Sequence, residues 1–468
     1  MLTRSALPRY GLLVLFVFLL LNTSSAQNQS APATPAYEEV AKQVVNASLK
    51  DGRAYEMLQA LTSLGPRLSG SPQAAAAVEL TRQIMEQNGF AHVRLQPVMV
   101  PHWVRGPVEE AAIINSATLG SVPLTVCALG GSIATPPGGV VAEIVEVKSF
   151  QQLQMLGKKA AGKIIFFNRP MDPGLLDTFA SYGGAVEQRG DGAVEAAKVG
   201  GVAALVRSMT TQLDDVPHTG SMHYDDKVAK LPAAAISTLD ANLLSQLLQQ
   251  EAKVTVRLRL TCETWPDAPS ANVLGELVGS EKPEEIIVIG GHLDSWDKGT
   301  GAHDDGAGCV QAIEAVRLLS VCGLKPKRTI RAVMFMNEEN GLRGGEAYAR
   351  EVAEQKTRHI AALESDRGGF APCGFGVMAD SLTTRKILSW HGVFAFFGAD
   401  RILPGFGGVD ILPLSRQGIP VIGLVPEAQR YFDYHHSDND TIDKVNEREL
   451  ELGAAAMAIL AYLISEEF

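Results

Sequence analysis

Ile286-Ile287-Val288-Ile289-Gly290-Gly291-His292-Leu293-Asp294-Ser295-Trp296-Asp297 is an apolar run that ends in a histidine and two aspartates. The first four residues read as a strand buried on both faces. His292 and Asp294 then fall just past its carboxyl end, where open α/β sheets bind their ligands. Imidazole suits zinc, and a carboxylate two residues on can accept the ring's other N–H. Taken alone, the same pattern also describes a hydrogen-bonded turn histidine.

Further apolar runs at 330–336 and 421–425 alternate with helical periodicity at 306–319 and 450–463. Such alternation predicts a sheet covered by helices on both faces. Upstream, helical spacing at 37–49, 54–64 and 74–88 leads into an alternating strand at 92–100, with turn chemistry at 65–71. Between 105 and 260 the texture changes to short β-rich segments (139–147, 163–167, 203–206 and 254–260) separated by glycine and proline. This predicts a separate β-rich module.

The size of the chain agrees, since 468 residues exceed what one hydrophobic core usually organises. A composition 46% apolar and 20% charged is that of a globular fold. Asp and Glu number 52 against 41 Lys and Arg, which argues against nucleic acid or anionic lipid as the main partner. Arg4 and Arg9 precede an apolar run at 11–21, and Ser24-Ser25-Ala26 follows it. This reads as a sorting signal over 1–26 that is removed, leaving an exported, periplasmic or secreted protein with no membrane span. Five scattered cysteines suggest neither a thiolate zinc site nor a disulfide framework, although Cys127 and Cys262 could bridge in an oxidising compartment.

Four more places carry candidate chemistry. Gly301-Ala302-His303-Asp304-Asp305-Gly306-Ala307-Gly308 sets two acids among small residues at a helix start. One of them could cap the helix, or a carboxylate could approach small ions closely and bridge two of them. The strand 332–336 exits into Asn337-Glu338-Glu339, where one acid can bind metal while its neighbour takes a proton from water. Asp366 follows another apolar stretch, and His435-His436 stands shortly before the last helix. Together His292, Asp304, Glu339, Asp366 and His436 offer two imidazoles and three carboxylates, a mix suited to zinc.

With these motifs the chain resembles the M28 family of co-catalytic zinc peptidases, and within it the carboxypeptidase Q branch. The marks are 291–297, 299–308, Glu338-Glu339 and His435-His436-Ser437, with 65–71 and 101–106 resembling that branch in particular. The resemblance implies an α/β, phosphorylase/hydrolase-like fold with a mixed central sheet, formed by 37–104 and 263–468. It implies a protease-associated (PA) domain inserted at 105–262. It also implies two Zn2+ ions per chain: Asp304 bridging, His292 and Asp366 on one ion, Glu339 and His436 on the other. Glu338 becomes the general base, Asp294 the partner of His292, and a non-proline cis bond between Asp304 and Asp305 is expected. Of the two adjacent histidines, the spacing to Asp440 favours His436 as ligand. The loop 405–410 is either a wall of the substrate pocket or a plain turn.

The implied activity is exopeptidase hydrolysis of dipeptides or short peptides, with Glu338 taking a water's proton and returning it to the leaving amine. Three other readings remain open at this point: an aminopeptidase acting on longer peptides, a one-zinc acyltransferase of the glutaminyl cyclase kind, and a binding protein that has lost catalysis. Which peptide end is recognised depends on loops and on a partner subunit, should the chain form a homodimer.

Overall fold

The computed structural model describes residues 35–468, and the sorting signal expected at 1–26 lies outside the described residues. The central sheet has eight strands in the spatial order Ala91–Val104, Glu263–Leu277, Arg328–Phe335, Lys282–His292, Arg358–Glu364, Val421–Pro426, Pro372–Met378 and Arg401–Pro404. Its middle is parallel: Lys282–His292 pairs in parallel with both neighbours, and Arg358–Glu364 does so with Val421–Pro426. Antiparallel strands flank this middle, so the sheet is mixed.

The strand that opens the reading above alternates its side chains between two cores. Ile287 and Ile289 share one core with residues of the helices Ala307–Val321 and Glu447–Glu467. Ile286 and Val288 face the other way, toward Tyr348, Ala349 and Val352 of the helix Arg343–Gln355. Ile286 to Ile289 are all buried, which is why they show no polar alternation. Helix ends follow local chemistry. Ser71 accepts the Ala74 amide ahead of Pro72–Gln87, and Asn446 accepts the Glu449 amide ahead of Glu447–Glu467.

A second eight-stranded sheet is built from strands that all lie between Glu109 and Leu260, in the order Gly120–Leu124, Glu109–Ser116, Thr255–Leu260, Val140–Val147, Ile164–Phe167, Ala203–Arg207, Ala233–Ile236 and Val126–Ala128. The two sheets share apolar contacts. Leu68, Trp103 and Trp296 are buried in one core of the second sheet, and Phe370, Tyr431 and Phe432 in its other core. Arg105 ties the units together, donating to Asp297 at 2.8 Å and to Glu109 at 2.9 Å.

All five cysteines are free thiols. Cys127 and Cys262 belong to different cores of the second sheet, so the bridge considered from sequence does not form. Among the described residues no helix is long and apolar enough to cross a membrane.

Candidate metal centre and catalytic site

His292 ends its strand fully buried, with Nε2 3.1 Å from Asp304 Oδ1 and 3.3 Å from Asp366 Oδ1. Asp366 lies just beyond the neighbouring parallel strand Arg358–Glu364, so two adjacent strand ends deliver these groups together. On the other side of Asp304, His436 Nε2 stands 3.2 Å from Oδ2 and 3.1 Å from Glu339 Oε2. Glu339 follows the strand Arg328–Phe335, the other parallel neighbour of the His292 strand. Asp304 therefore has one pair of groups on each side: His292 with Asp366, and His436 with Glu339.

The loop that carries Asp304 is pinned by backbone hydrogen bonds. Asp440 accepts the amides of His303 at 2.7 Å and Asp304 at 3.1 Å. The Asp304-Asp305 peptide bond is cis. Asp305 accepts the amides of His292 and Gly308, each at 2.9 Å, and so anchors the start of Ala307–Val321. Of this acidic pair, Asp305 takes the capping role, while Asp304 faces His292 and His436.

The two histidines differ in placement. His435 Nε2 is 3.8 Å from Asp304 Oδ2, and its ring stacks on that of His436 with centroids 3.5 Å apart. His436 is closer to Asp304, meets Glu339 as well, and adopts φ 61° to do so.

Asp294 departs from the role expected of it. His292 Nδ1 lies 3.0 Å from the backbone oxygen of Asp294, while the nearer carboxylate oxygen is 3.9 Å away. That carboxylate instead accepts the amides of Asn337 at 2.7 Å, Glu338 at 3.1 Å and Glu339 at 3.4 Å, and the Ser69 hydroxyl at 2.9 Å. It is surrounded by amides because three successive N–H groups point inward at a tight strand exit, and an anion satisfies them all.

Asp304, Glu338, Glu339, Asp366, His435 and His436 line a cavity of about 720 Å³. Its roof comes from the second-sheet unit, through Phe179, Tyr182, Arg189 and Met222. Of the loop 405–410, Val409 lines the cavity, whereas Asp410 is buried and neither of its carboxylate oxygens is hydrogen-bonded. Burial, reinforced by Asp366 and Asp304 and opposed by His292, pushes the Glu338 carboxyl up to about 8. Burial also opposes ionisation of Asp304, but hydrogen bonds to His292 and His436 hold it well below the usual carboxylate range.

The residues fit a divalent metal centre. Asp304 Oδ2 is buried without a hydrogen-bond donor, and imidazole and carboxylate atoms converge on it where a cation would compensate the clustered negative charge. A cluster of this composition suits zinc better than harder ions, which favour all-oxygen sites.

Several residues that build the site were not among its candidates from sequence. Arg67 is fully buried and donates to the carbonyls of Leu293 at 3.0 Å, Thr300 at 2.5 Å and Gly301 at 2.9 Å, fixing the loop between His292 and Asp304. From the second-sheet unit, His218 Nδ1 reaches the carbonyl of His435 at 2.6 Å, and the Thr219 amide donates to that of His436 at 2.9 Å.

A family model described as Peptidase family M28 matches residues 272–462. The chain is 35% identical over 434 residues to carboxypeptidase Q of Bos taurus, a match that covers 92% of this chain and 89% of that protein. In three dimensions it is similar to a peptidase M28 precursor from Shewanella amazonensis SB2B, with a TM-score of 0.87 at 37% identity over 92% of this chain and 97% of the other. It also shares its fold with BSAP, a zinc aminopeptidase from Bacillus subtilis, at a TM-score of 0.64 and 20% identity over 88% and 94% of the two chains.

Proposed function

The chain belongs to peptidase family M28 and is a metallopeptidase, and from that premise we propose that it is an exported exopeptidase that binds two zinc ions and hydrolyses dipeptides or short peptides. The observation that carries this reading is the placement of Asp304 between His292 with Asp366 and His436 with Glu339. His292 and Asp366 would hold one ion, Glu339 and His436 the other, with Asp304 shared between them. Zinc, when bound, supplies Lewis acidity that lowers the pKa of water and polarises a carbonyl.

The chain's own groups do the rest. Glu338 lines the cavity beside the ligand cluster and accepts the proton of the attacking water at its carboxylate, then returns it to the leaving amine. The charges of Asp366 and Asp304 that help raise the Glu338 carboxyl would be offset by the zinc they hold, which favours the ionised form that accepts the proton. Asp294 holds the backbone of Glu338 and Glu339, and Arg67 and Asp440 hold the loop that presents Asp304. The aromatic roof from the second-sheet unit limits the space above the site, which favours short substrates.

In this reading 37–104 and 263–468 form the peptidase domain and 105–262 an inserted domain of the protease-associated kind. The confinement of the second sheet's strands to Glu109–Leu260 supports that division. Export rests on the leader at 1–26. The test is a panel of free dipeptides, N-blocked peptides and C-amidated peptides assayed with and without a chelator. Cleavage of short peptides that stops on chelation and returns with zinc is expected; cleavage indifferent to chelation would overturn the reading.

A further inference from the structure

Of the five proposed ligands, His436 alone is hydrogen-bonded by the second-sheet unit among the described residues. The amides of His292, Asp304 and Glu339 donate to Asp305, Asp440 and Asp294, all of them groups of the central-sheet unit. Asp366 follows the strand Arg358–Glu364 of that same unit. His436 instead accepts the Thr219 amide at its carbonyl, at 2.9 Å, and the carbonyl of His435 just before it accepts from His218 Nδ1 at 2.6 Å. A carbonyl only accepts, so His218 carries its proton on Nδ1.

The grip extends over the segment that leads to His436. Thr178 Oγ1 donates to the Ala428 carbonyl at 2.7 Å. Phe179 stacks on Tyr431 and Tyr182 on Phe432, with ring centroids 5.2 Å and 4.7 Å apart. These three groups share the helix Thr178–Gly183 of the second-sheet unit. The clamp is itself fixed to the second sheet. The His218 amide donates to Ser208 Oγ at 2.9 Å, Ser208 Oγ donates to the Ile236 carbonyl at 2.7 Å, and Thr219 Oγ1 donates to the Ala128 carbonyl at 2.8 Å.

His436 needs such support. Its φ of 61° is a left-handed conformation that a residue with a side chain holds only when its surroundings impose it. A zinc–imidazole bond spans only ~2.0 Å, so a ligand that relaxes by a fraction of that length is lost to the ion. We propose that His218 is a positioning residue for the His436 and Glu339 zinc site, so that the second-sheet unit governs the binding of one ion and leaves the other alone. This rests on the two-zinc reading above.

The experiment measures zinc bound per chain against buffered free Zn2+ in the full-length protein and in its His218→Ala and His218→Asn variants. Wild type binds two ions. His218→Ala keeps one ion at wild-type affinity and binds the other ~10–100-fold more weakly, the usual cost of removing a group that orients a ligand. His218→Asn, whose amide N–H takes the place of Nδ1–H, recovers most of that loss. In a His436→Ala background, where one ion remains, His218→Ala leaves its affinity unchanged, which assigns the affected ion. Equal weakening of both ions, or wild-type binding of both in His218→Ala, would overturn the proposal and leave the two-zinc reading standing. One ion per wild-type chain would overturn both. Should His218→Ala fail to fold, Thr178→Val removes the donor to Ala428 and is expected to weaken the same single ion ~3-fold or more, the scale of one neutral hydrogen bond; unaltered binding of both ions there would overturn the proposal as well.

Discussion

The Glu338 amide donates to the Asp294 carboxylate across 3.1 Å, so the residue two positions after the proposed ligand His292 fixes the backbone of the proposed base. The same carboxylate holds Asn337 and Glu339. Asp294→Ala is expected to lower kcat by ~10–100-fold, the usual cost of removing a group that orients metal-site residues. Asp294→Asn should lower it less, because one oxygen can still accept the Asn337 and Glu338 amides. Steady-state kinetics on both variants, with zinc content measured alongside, checks this; an unchanged kcat in Asp294→Ala would remove the role.

Glu338 touches the cavity without being one of the five proposed ligands. Glu338→Gln keeps the shape of the side chain and removes its basicity. The variant should retain zinc and lose ~10²-fold or more in turnover. Near-normal turnover in the zinc-loaded variant would assign proton transfer to another group.

Gly130 of the second-sheet unit lies against Trp296, whose amide donates to Glu339 Oε1 at 3.1 Å. A Cβ at position 130 would come 1.8 Å from the indole. Gly130→Ala must therefore shift Trp296 and is expected to destabilise the fold by ~1–3 kcal/mol, with a fall in activity. Denaturant unfolding and activity measured on the same preparation test the coupling; wild-type values for both would show that the indole moves freely.

Glu451 is buried away from the metal cavity, accepting the Tyr55 amide at 3.3 Å and the Ser48 hydroxyl at 3.3 Å. Burial, reinforced by Glu314, pushes its carboxyl up to about 7. A raised carboxyl holds its proton in the folded state after the unfolded chain has released it. Stability therefore falls as pH rises from the ordinary carboxylate value toward about 7, and the loss is complete above that. Glu451→Gln removes the penalty, so its gain in melting temperature over wild type should be larger at pH 8.5 than at pH 5.5. An equal difference at both values would mean that Glu451 ionises normally.

Much of the site is legible from sequence because His292, Glu339 and Asp366 end or follow buried strands and Asp304 opens a helix. Ile286–Ile289, 332–336 and 360–363 are apolar runs, so the histidine and acids that follow them stand out, and parallel pairing of their strands brings those groups together. The group that holds the Glu338 backbone was harder to read. Asp294 has the right spacing to meet His292, but the tight exit after Phe335 turns three amides toward its carboxylate. The spacing to Asp440 favours His436 over His435, but the backbone turn at φ 61° that brings His436 nearer to Asp304 has no counterpart in the sequence. Arg67, His218 and Arg189 act across more than 200 residues of chain, and no local pattern marks such contacts.

Zinc analysis of the purified, metal-saturated chain tests most directly whether His292, Asp304, Glu339, Asp366 and His436 form one shared centre. Two zinc ions per chain are expected, with Asp304→Ala losing tight binding of both because it stands between the two pairs. A single zinc per chain in the wild type would contradict the two-ion centre.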